Sequence, residues 1–229
     1  MLMRLGALFT GGKDSTYSAF LESKDNEIVC LINARSANPD SYMFHTVGEE
    51  LLDLQSEALG IPLERFYTKG EKEKELLDLQ NSIIRIKRKY ALDGVVSGAL
   101  ESDYQFQRIG RILSNAGLKS FTPLWHIDVK SYLNEFISSG FKAVIISVSA
   151  DGLDQSWLGR EIDKATLAEL DTLSKRFRFH LGFEGGEAET AVLDGPSFKK
   201  MIIIQKTETI HDGNKHYLKI ISSKLESKL

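Results

Sequence analysis

The chain has 229 residues, of which 42% are hydrophobic and 27% charged, with a formal net charge of −3. That length suits one large domain or two modest ones and supports a real core. No basic block marks a broad footprint on nucleic acid, no apolar run is long enough for a bilayer, and the N-terminus lacks the shape of a secretion signal, so a cytoplasmic protein without membrane or nucleic-acid partners is expected.

The first element is a short apolar run ending at Phe9, as in a buried parallel strand. Thr10-Gly11-Gly12-Lys13-Asp14-Ser15 follows, then a helix through Thr16 to Leu21 capped by Asp14 or Ser15. Two glycines allow a sharp turn and close backbone approach to a ligand. A helix N-terminus, a lysine and the hydroxyls of Thr10, Ser15 and Thr16 make a cradle for an anion such as phosphate. The plain alternative is a glycine turn before a capped helix. The spacing is not that of the mononucleotide P-loop, because Gly11 and Gly12 are adjacent and Asp14 separates lysine from serine.

Glu27 to Asn33 predicts a second strand, with the lone Cys30 as a buried, inert thiol. A polar loop from Asn33 and Ala34 to Asp40 leads to a helix over His45–Leu59, stopped by Gly60. A third strand is expected from Ile61-Pro62-Leu63 and Phe66-Tyr67, a charged helix over 71–90, a fourth strand over 93–99, a helix from Ser102 or Asp103 to Asn115, and a fifth strand over 119–124. Strands alternating with helices predict an α/β fold, an open parallel five-stranded sheet with right-handed crossovers. Ligands of such sheets lie at the carboxyl ends of the strands, which gathers the Thr10 loop, the loop after Asn33 and the Gly98–Gln105 loop.

From Trp125 the pattern changes to a smaller α+β part. Helices are expected over 128–139 and 163–179, and strands over 143–149, 199–206 and 215–221, with a hairpin at Asp212-Gly213. The expected domains are therefore 1–124 and 125–229.

Two further stretches carry candidate chemistry. In Gly98-Ala99-Leu100-Glu101-Ser102-Asp103-Tyr104-Gln105, followed by Arg108, the arginine suits a phosphate or carboxylate, and Glu101 and Asp103 suit an amine or a metal. A capped helix with a solvated first turn explains the same residues. Phe183-Glu184-Gly185-Gly186-Glu187-Ala188-Glu189-Thr190 packs three carboxylates into six residues. Crowded carboxylates suit cation or metal binding or proton transfer, and a plain acidic loop is the alternative. Of the histidines, His45 is the one expected to touch ligand.

The Thr10–Ser15 segment resembles the PP-loop of N-type ATP pyrophosphatases, usually Ser-Gly-Gly-x-Asp-Ser, with Thr10 keeping the hydroxyl. Together with 41–46, 98–108, Pro123-Leu124-Trp125, Gly152-Leu153, 158–160 and Glu184–Thr190 with Leu193-Asp194-Gly195-Pro196, the chain resembles the short, archaeal-type form of the diphthine-ammonia ligase family. Phe183 and Ala188 stand where that family's acidic motif usually has Gly and Tyr.

The resemblance implies an adenine nucleotide alpha hydrolase-like sheet and an ATP-dependent carbon–nitrogen ligase. Its substrate would be diphthine on elongation factor 2, adenylated with release of pyrophosphate and then amidated by free ammonia to diphthamide, with loss of AMP. ATP and Mg²⁺ would be held by Thr10, Gly11, Gly12, Lys13, Asp14, Ser15, Thr16, Asn33, Ala34, His45, Gly98 and Ala99, with Asp14 on the metal. The acceptor would meet Glu101, Ser102, Asp103, Tyr104, Gln105, Arg108, Trp125, Glu184, Gly185, Gly186, Glu187, Glu189 and Thr190. Lys13, Asp14, Glu187 and Glu189 would carry the chemistry. A homodimer is compatible with this reading. Three other readings stay open: a PP-loop enzyme acting on tRNA, one adenylating a different carboxylate, and a nucleotide-binding sensor.

Overall fold

The computed structural model describes residues 2–36, 48–68 and 74–228. The chain divides into two compact units: Met1–Thr10, Asp14–Thr46 and Ile61–Trp125 form the first, and Gly11–Lys13, Val47–Gly60 and His126–Leu229 the second. Among the described residues no helix is long and apolar enough to cross a membrane.

The first unit is an α/β layer. Strands β1 (Arg4–Leu8), β2 (Glu27–Ser36), β3 (Leu63–Thr68), β4 (Gly94–Val96) and β5 (Lys119–Phe121) form one sheet in the order β3-β2-β1-β4-β5. Every pairing is parallel, so the predicted parallel sheet is present. Helix α1 follows β1; it is assigned from Lys13 to Glu22, and from Asp14 onward it lies in this unit. Helices α3 (Lys74–Tyr90) and α4 (Asp103–Asn115) flank the sheet. Their apolar stripes, including Leu79, Ile83, Ile86, Ile109, Ile112 and Leu113, join Val29, Cys30, Ile32 and Val95 of the strands in one core. Cys30 is fully buried, and burial pushes its thiol up to about 12, where it stays protonated and unreactive.

The second unit contains α2 (Leu52–Leu59), preceded by a tight turn of 3-10 helix over Glu49–Leu51. It continues with α5 (Val129–Ser138), β6 (Lys142–Val148), α6 (Lys164–Phe177), β7 (Ala188–Asp194), β8 (Lys200–Asp212) and β9 (Lys215–Ser227). The four strands form an antiparallel sheet in the order β7-β6-β9-β8. Asp128 and Asp163 cap α5 and α6 by accepting the N–H groups of Ser131 and Thr166, both at 2.8 Å.

Two elements here differ from the sequence reading. Strands β8 and β9 each run 13 residues and meet at a two-residue turn, Gly213-Asn214, well beyond the predicted pieces. Polar residues 206–209 hide the strand, yet Thr207 and Thr209 are β-branched and Glu208 faces Lys219 across the ladder. Strand β7 was not predicted, because its residues sit between an acidic glycine segment and an Asp-Gly-Pro turn. Its two sides are distinguished by pairing with β6, which local periodicity does not register.

Candidate active site

The order β3-β2-β1-β4-β5 reverses direction between β1 and β4, and the carboxyl ends of those strands are where such sheets take ligands. β1 runs into Phe9 and Thr10. The Thr10 N–H donates to Ser15 Oγ at 3.2 Å, and the Thr10 and Ser15 hydroxyls lie 3.1 Å apart. Ser15 thus closes the bend from within α1, rather than acting as the cap before it. Beyond β4, Gly98 presses against the same turn. A Cβ at Gly98 would lie 2.7 Å from the Ser15 nitrogen and 2.8 Å from the Asp14 carbonyl carbon. Only glycine permits that approach.

Two buried polar atoms here, Thr16 Oγ1 and Asn33 Oδ1, have no hydrogen-bond partner among the described residues. Thr16 is 2% exposed, and its hydroxyl has no hydrogen-bond partner among the described residues. Asn33, at the end of β2, donates its amide N–H to the Phe9 carbonyl at 2.9 Å and leaves its buried Oδ1 unpartnered. An unmet buried hydroxyl in the first turn of a helix suits phosphate, and an unmet amide oxygen suits a base amino group. The residues present therefore fit an adenine nucleotide. Asp14 is half-buried in the first turn of α1, and Ala34 and Ala99 are buried.

On the approach to α4, Glu101 and Asp103 are exposed and Ser102 and Arg108 half-buried. The Phe106 N–H donates to the Ser102 carbonyl at 2.9 Å. Trp125 stacks on Phe106 with ring centres 4.2 Å apart, so one of its faces is already covered. His45 and the rest of 41–46 lie outside the described residues, as do the side chains of Tyr104 and Gln105.

The tip of the loop, Gly11–Lys13, clusters with the second unit. The Gly11 carbonyl accepts the Val192 N–H at 2.9 Å and the Gln55 side-chain amide at 2.8 Å. The Lys13 N–H donates to Thr190 Oγ1 at 3.1 Å. The Lys13 side chain is 2% exposed; its ammonium donates to the Gly182 carbonyl at 2.7 Å and lies 5.2 Å from the centre of the Phe183 ring. The loop tip is therefore fixed to β7 and to the segment before it. Sequence reading missed Gln55. Its signal was there: a polar residue between Leu51, Leu52, Ala58 and Leu59, at helical spacing on the buried side.

The acidic segment folds on itself. The Glu187 carboxylate accepts the His180 N–H at 2.9 Å and the Gly185 N–H at 2.8 Å. Ser149 holds the Gly186 carbonyl at 2.7 Å. Glu189, on β7, pairs with Lys215 at 2.8 Å, and Glu184 is half-buried. The Glu187 and Glu189 carboxylates are thus deployed separately rather than pooled, and among the described residues no three His, Cys, Asp or Glu side chains gather as a metal site. Phe183 has φ +65°, a left-handed backbone that favours glycine. That accounts for glycine as the usual residue at this point of the resembled motif. Here the ring is buried and covers the Lys13 ammonium.

Sheet order, glycine bend and unmet buried polar atoms define an α/β protein whose parallel sheet carries a strand–glycine bend–helix turn that fits a nucleotide. Matches to known proteins are more specific. The family described as Diphthamide synthase N-terminal domain matches residues 3–120, and that described as Diphthamide synthase C-terminal domain matches 128–225. Diphthine–ammonia ligase of Bos taurus is 36% identical over 253 residues, covering 99% of this chain and 94% of that protein. The Homo sapiens protein of the same name is 37% identical with the same coverage, and that of Danio rerio is 38% identical over 91% of this chain and 89% of that one. A solved structure described as a predicted subunit of tRNA methyltransferase from Methanocaldococcus jannaschii aligns at 17% identity and TM-score 0.48, over 85% of this chain and 98% of that one. The chain belongs to the diphthamide synthase family.

Proposed function

We propose that the protein is an ATP-dependent carbon–nitrogen ligase that converts diphthine on elongation factor 2 to diphthamide. The carboxylate is adenylated with release of pyrophosphate, and free ammonia then displaces AMP. The observation that carries this reading is the unmet Thr16 hydroxyl in the first turn of α1, beside the Thr10–Ser15 bend, in a chain whose relatives over nearly its whole length are named diphthine–ammonia ligases. Most buried polar atoms are partnered, and an exception calls for an explanation, of which a ligand that completes it is one.

Each residue has a physical task in that scheme. Thr10, Gly11, Gly12, Ser15 and Thr16 hold the terminal phosphates with backbone N–H groups and hydroxyls. Gly98 and Ala99 bring the end of β4 against the bend, and Asn33 with Ala34 receives the adenine. Lys13 supplies a buried positive charge that offsets charge on the departing pyrophosphate, an effect of several kcal/mol in water-poor sites. Asp14 is the residue that would hold Mg²⁺, whose contribution is to neutralise phosphate charge.

The acceptor carries a fixed trimethylammonium, and Glu184, Glu187 and Glu189 offer it negative charge. Glu187 and Glu189 are also the groups to take a proton from ammonium or the attacking amine. Glu101, Ser102, Asp103, Tyr104, Gln105, Arg108, Trp125, Gly185, Gly186 and Thr190 complete the acceptor surface. His45 remains a nucleotide contact in this proposal.

The test is incubation with ATP, Mg²⁺, ammonium and diphthine-bearing elongation factor 2, followed by mass spectrometry of the factor. The expected result is the small mass loss of OH becoming NH₂, matched by stoichiometric AMP and pyrophosphate. ATP bound but unchanged in the presence of acceptor would instead make the protein a nucleotide sensor.

A further inference from the structure

Gln55 is 1% exposed, and its amide nitrogen donates two hydrogen bonds, to the carbonyls of Gly11 and Val192, each at 2.8 Å. Two carbonyl partners fix which end of the amide is nitrogen. Its oxygen is buried and unpartnered among the described residues. That oxygen lies over Gly11: a Cβ built there would sit 2.2 Å from it. Gly11 also has φ +77°.

We infer that Gln55 is a positioning residue for the phosphate loop, acting by holding the Gly11–Gly12 peptide in one orientation; this rests on the nucleotide reading above. Two adjacent glycines have little steric resistance to rotation of the peptide between them. The peptide is planar, so its C=O and N–H point in opposite directions and turn together. With the carbonyl tied to Val192 and Gln55, its negative end is held on the β7 side. A flip would present that negative end to the phosphates instead. The Val192 N–H alone leaves one bond against the flip, and Gln55 supplies the second while bridging the same two backbone strands. This division of labour explains why an amide side chain with an unmet oxygen occupies an otherwise apolar position of α2.

The test uses the full-length protein with Gln55→Met, which keeps shape and removes both donors. In nucleotide-free protein, hydrogen–deuterium exchange should rise in peptides covering the glycine bend and stay unchanged over α6. ATP should bind about tenfold more weakly, roughly the worth of the one bond of the two that holds the Gly11 carbonyl, with KM for the acceptor unaltered. Gln55→Glu, which turns an oxygen toward a carbonyl, should weaken ATP further while circular dichroism confirms the fold. A second variant, Thr190→Val, removes the acceptor of the Lys13 N–H. Its effect combined with Gln55→Met should be non-additive, since both hold one short segment. Wild-type exchange and ATP affinity in Gln55→Met would overturn the inference. Absence of ATP binding by the wild-type protein would overturn the nucleotide reading instead, so the two failures are distinct.

Discussion

Two glycine pairs, Gly11-Gly12 and Gly185-Gly186, look alike in sequence and are built on opposite principles. The first is tied by distant residues: Val192 and Gln55 hold the Gly11 carbonyl, and Thr190 and Gly182 hold Lys13. The second is tied mainly by its neighbours: Glu187 gathers the His180 and Gly185 amides, and Gly186 donates to the Phe183 carbonyl at 3.2 Å, with Ser149 as a distant partner of the Gly186 carbonyl. Space follows the same division. A side chain at Gly11 meets Gln55, whereas one at Gly186, with φ +81°, meets nothing within 4 Å. A segment fixed by remote partners can be held in a rare conformation with great precision, but any of several distant changes disturbs it. A self-braced segment tolerates change around it and depends on its own carboxylate.

The largest expected effect is therefore at Gly11. Gly11→Ala adds left-handed strain to a collision with a buried amide, and a displaced phosphate loop is worth on the order of a hundredfold in rate. ATP titration and the amidation time course measure it, and near-normal activity would break the contrast between the pairs. Next is Glu187→Gln, which replaces an acceptor oxygen by a donor facing a backbone N–H. It should cost about 1–2 kcal/mol in chemical denaturation, raise KM for the acceptor and leave ATP affinity as it was. A fall in kcat should accompany the rise in KM, since Glu187 is also proposed to take a proton, and unchanged stability would show that it is no brace.

The parallel sheet and most of the helices were legible because their signals are local. Apolar runs such as Ile28–Ile32, glycine stops such as Gly60, and acid or hydroxyl caps such as Asp128 and Asp163 each act within a few residues. Of the candidate site, the local geometry of Thr10 to Thr16 was legible for the same reason, since a strand, a bend and a helix start are contiguous. Gln55 and β7 were not. Gln55 acts on Gly11 across 44 positions and on Val192 across 137, and β7 exists because Ala188–Asp194 finds β6. The strain at Phe183 was likewise silent, because φ belongs to the fold while phenylalanine reads only as apolar. The departure from the family motif was visible, but its cost was not.

A smaller effect separates backbone strain from contact. Gly186→Ala should cost about 1 kcal/mol, the left-handed penalty alone, with ATP affinity unchanged, as read from a melting curve and a titration. A loss of ATP binding comparable to Gly11→Ala would show that the self-braced segment is not independent of the phosphate loop.

The smallest effect comes from a position touching neither pair. Asp163 caps α6, and the Thr166 N–H holds its carboxyl below the ordinary aspartate range. A depressed folded-state value means that the ionised form stabilises the fold above the unfolded pKa of about 3.9, and that this share is lost as pH falls through the folded value. Asparagine is a comparable neutral cap, so Asp163→Asn removes only the titrating part. At neutral pH the variant should be less stable by a few tenths of a kcal/mol. The gap should close as acid protonates the wild-type cap, and ATP affinity should match wild type throughout. If the gap were instead constant from pH 7 to below 3, the capping bond would not depend on charge, and stability losses in the two glycine loops would have to be judged without this electrostatic reference.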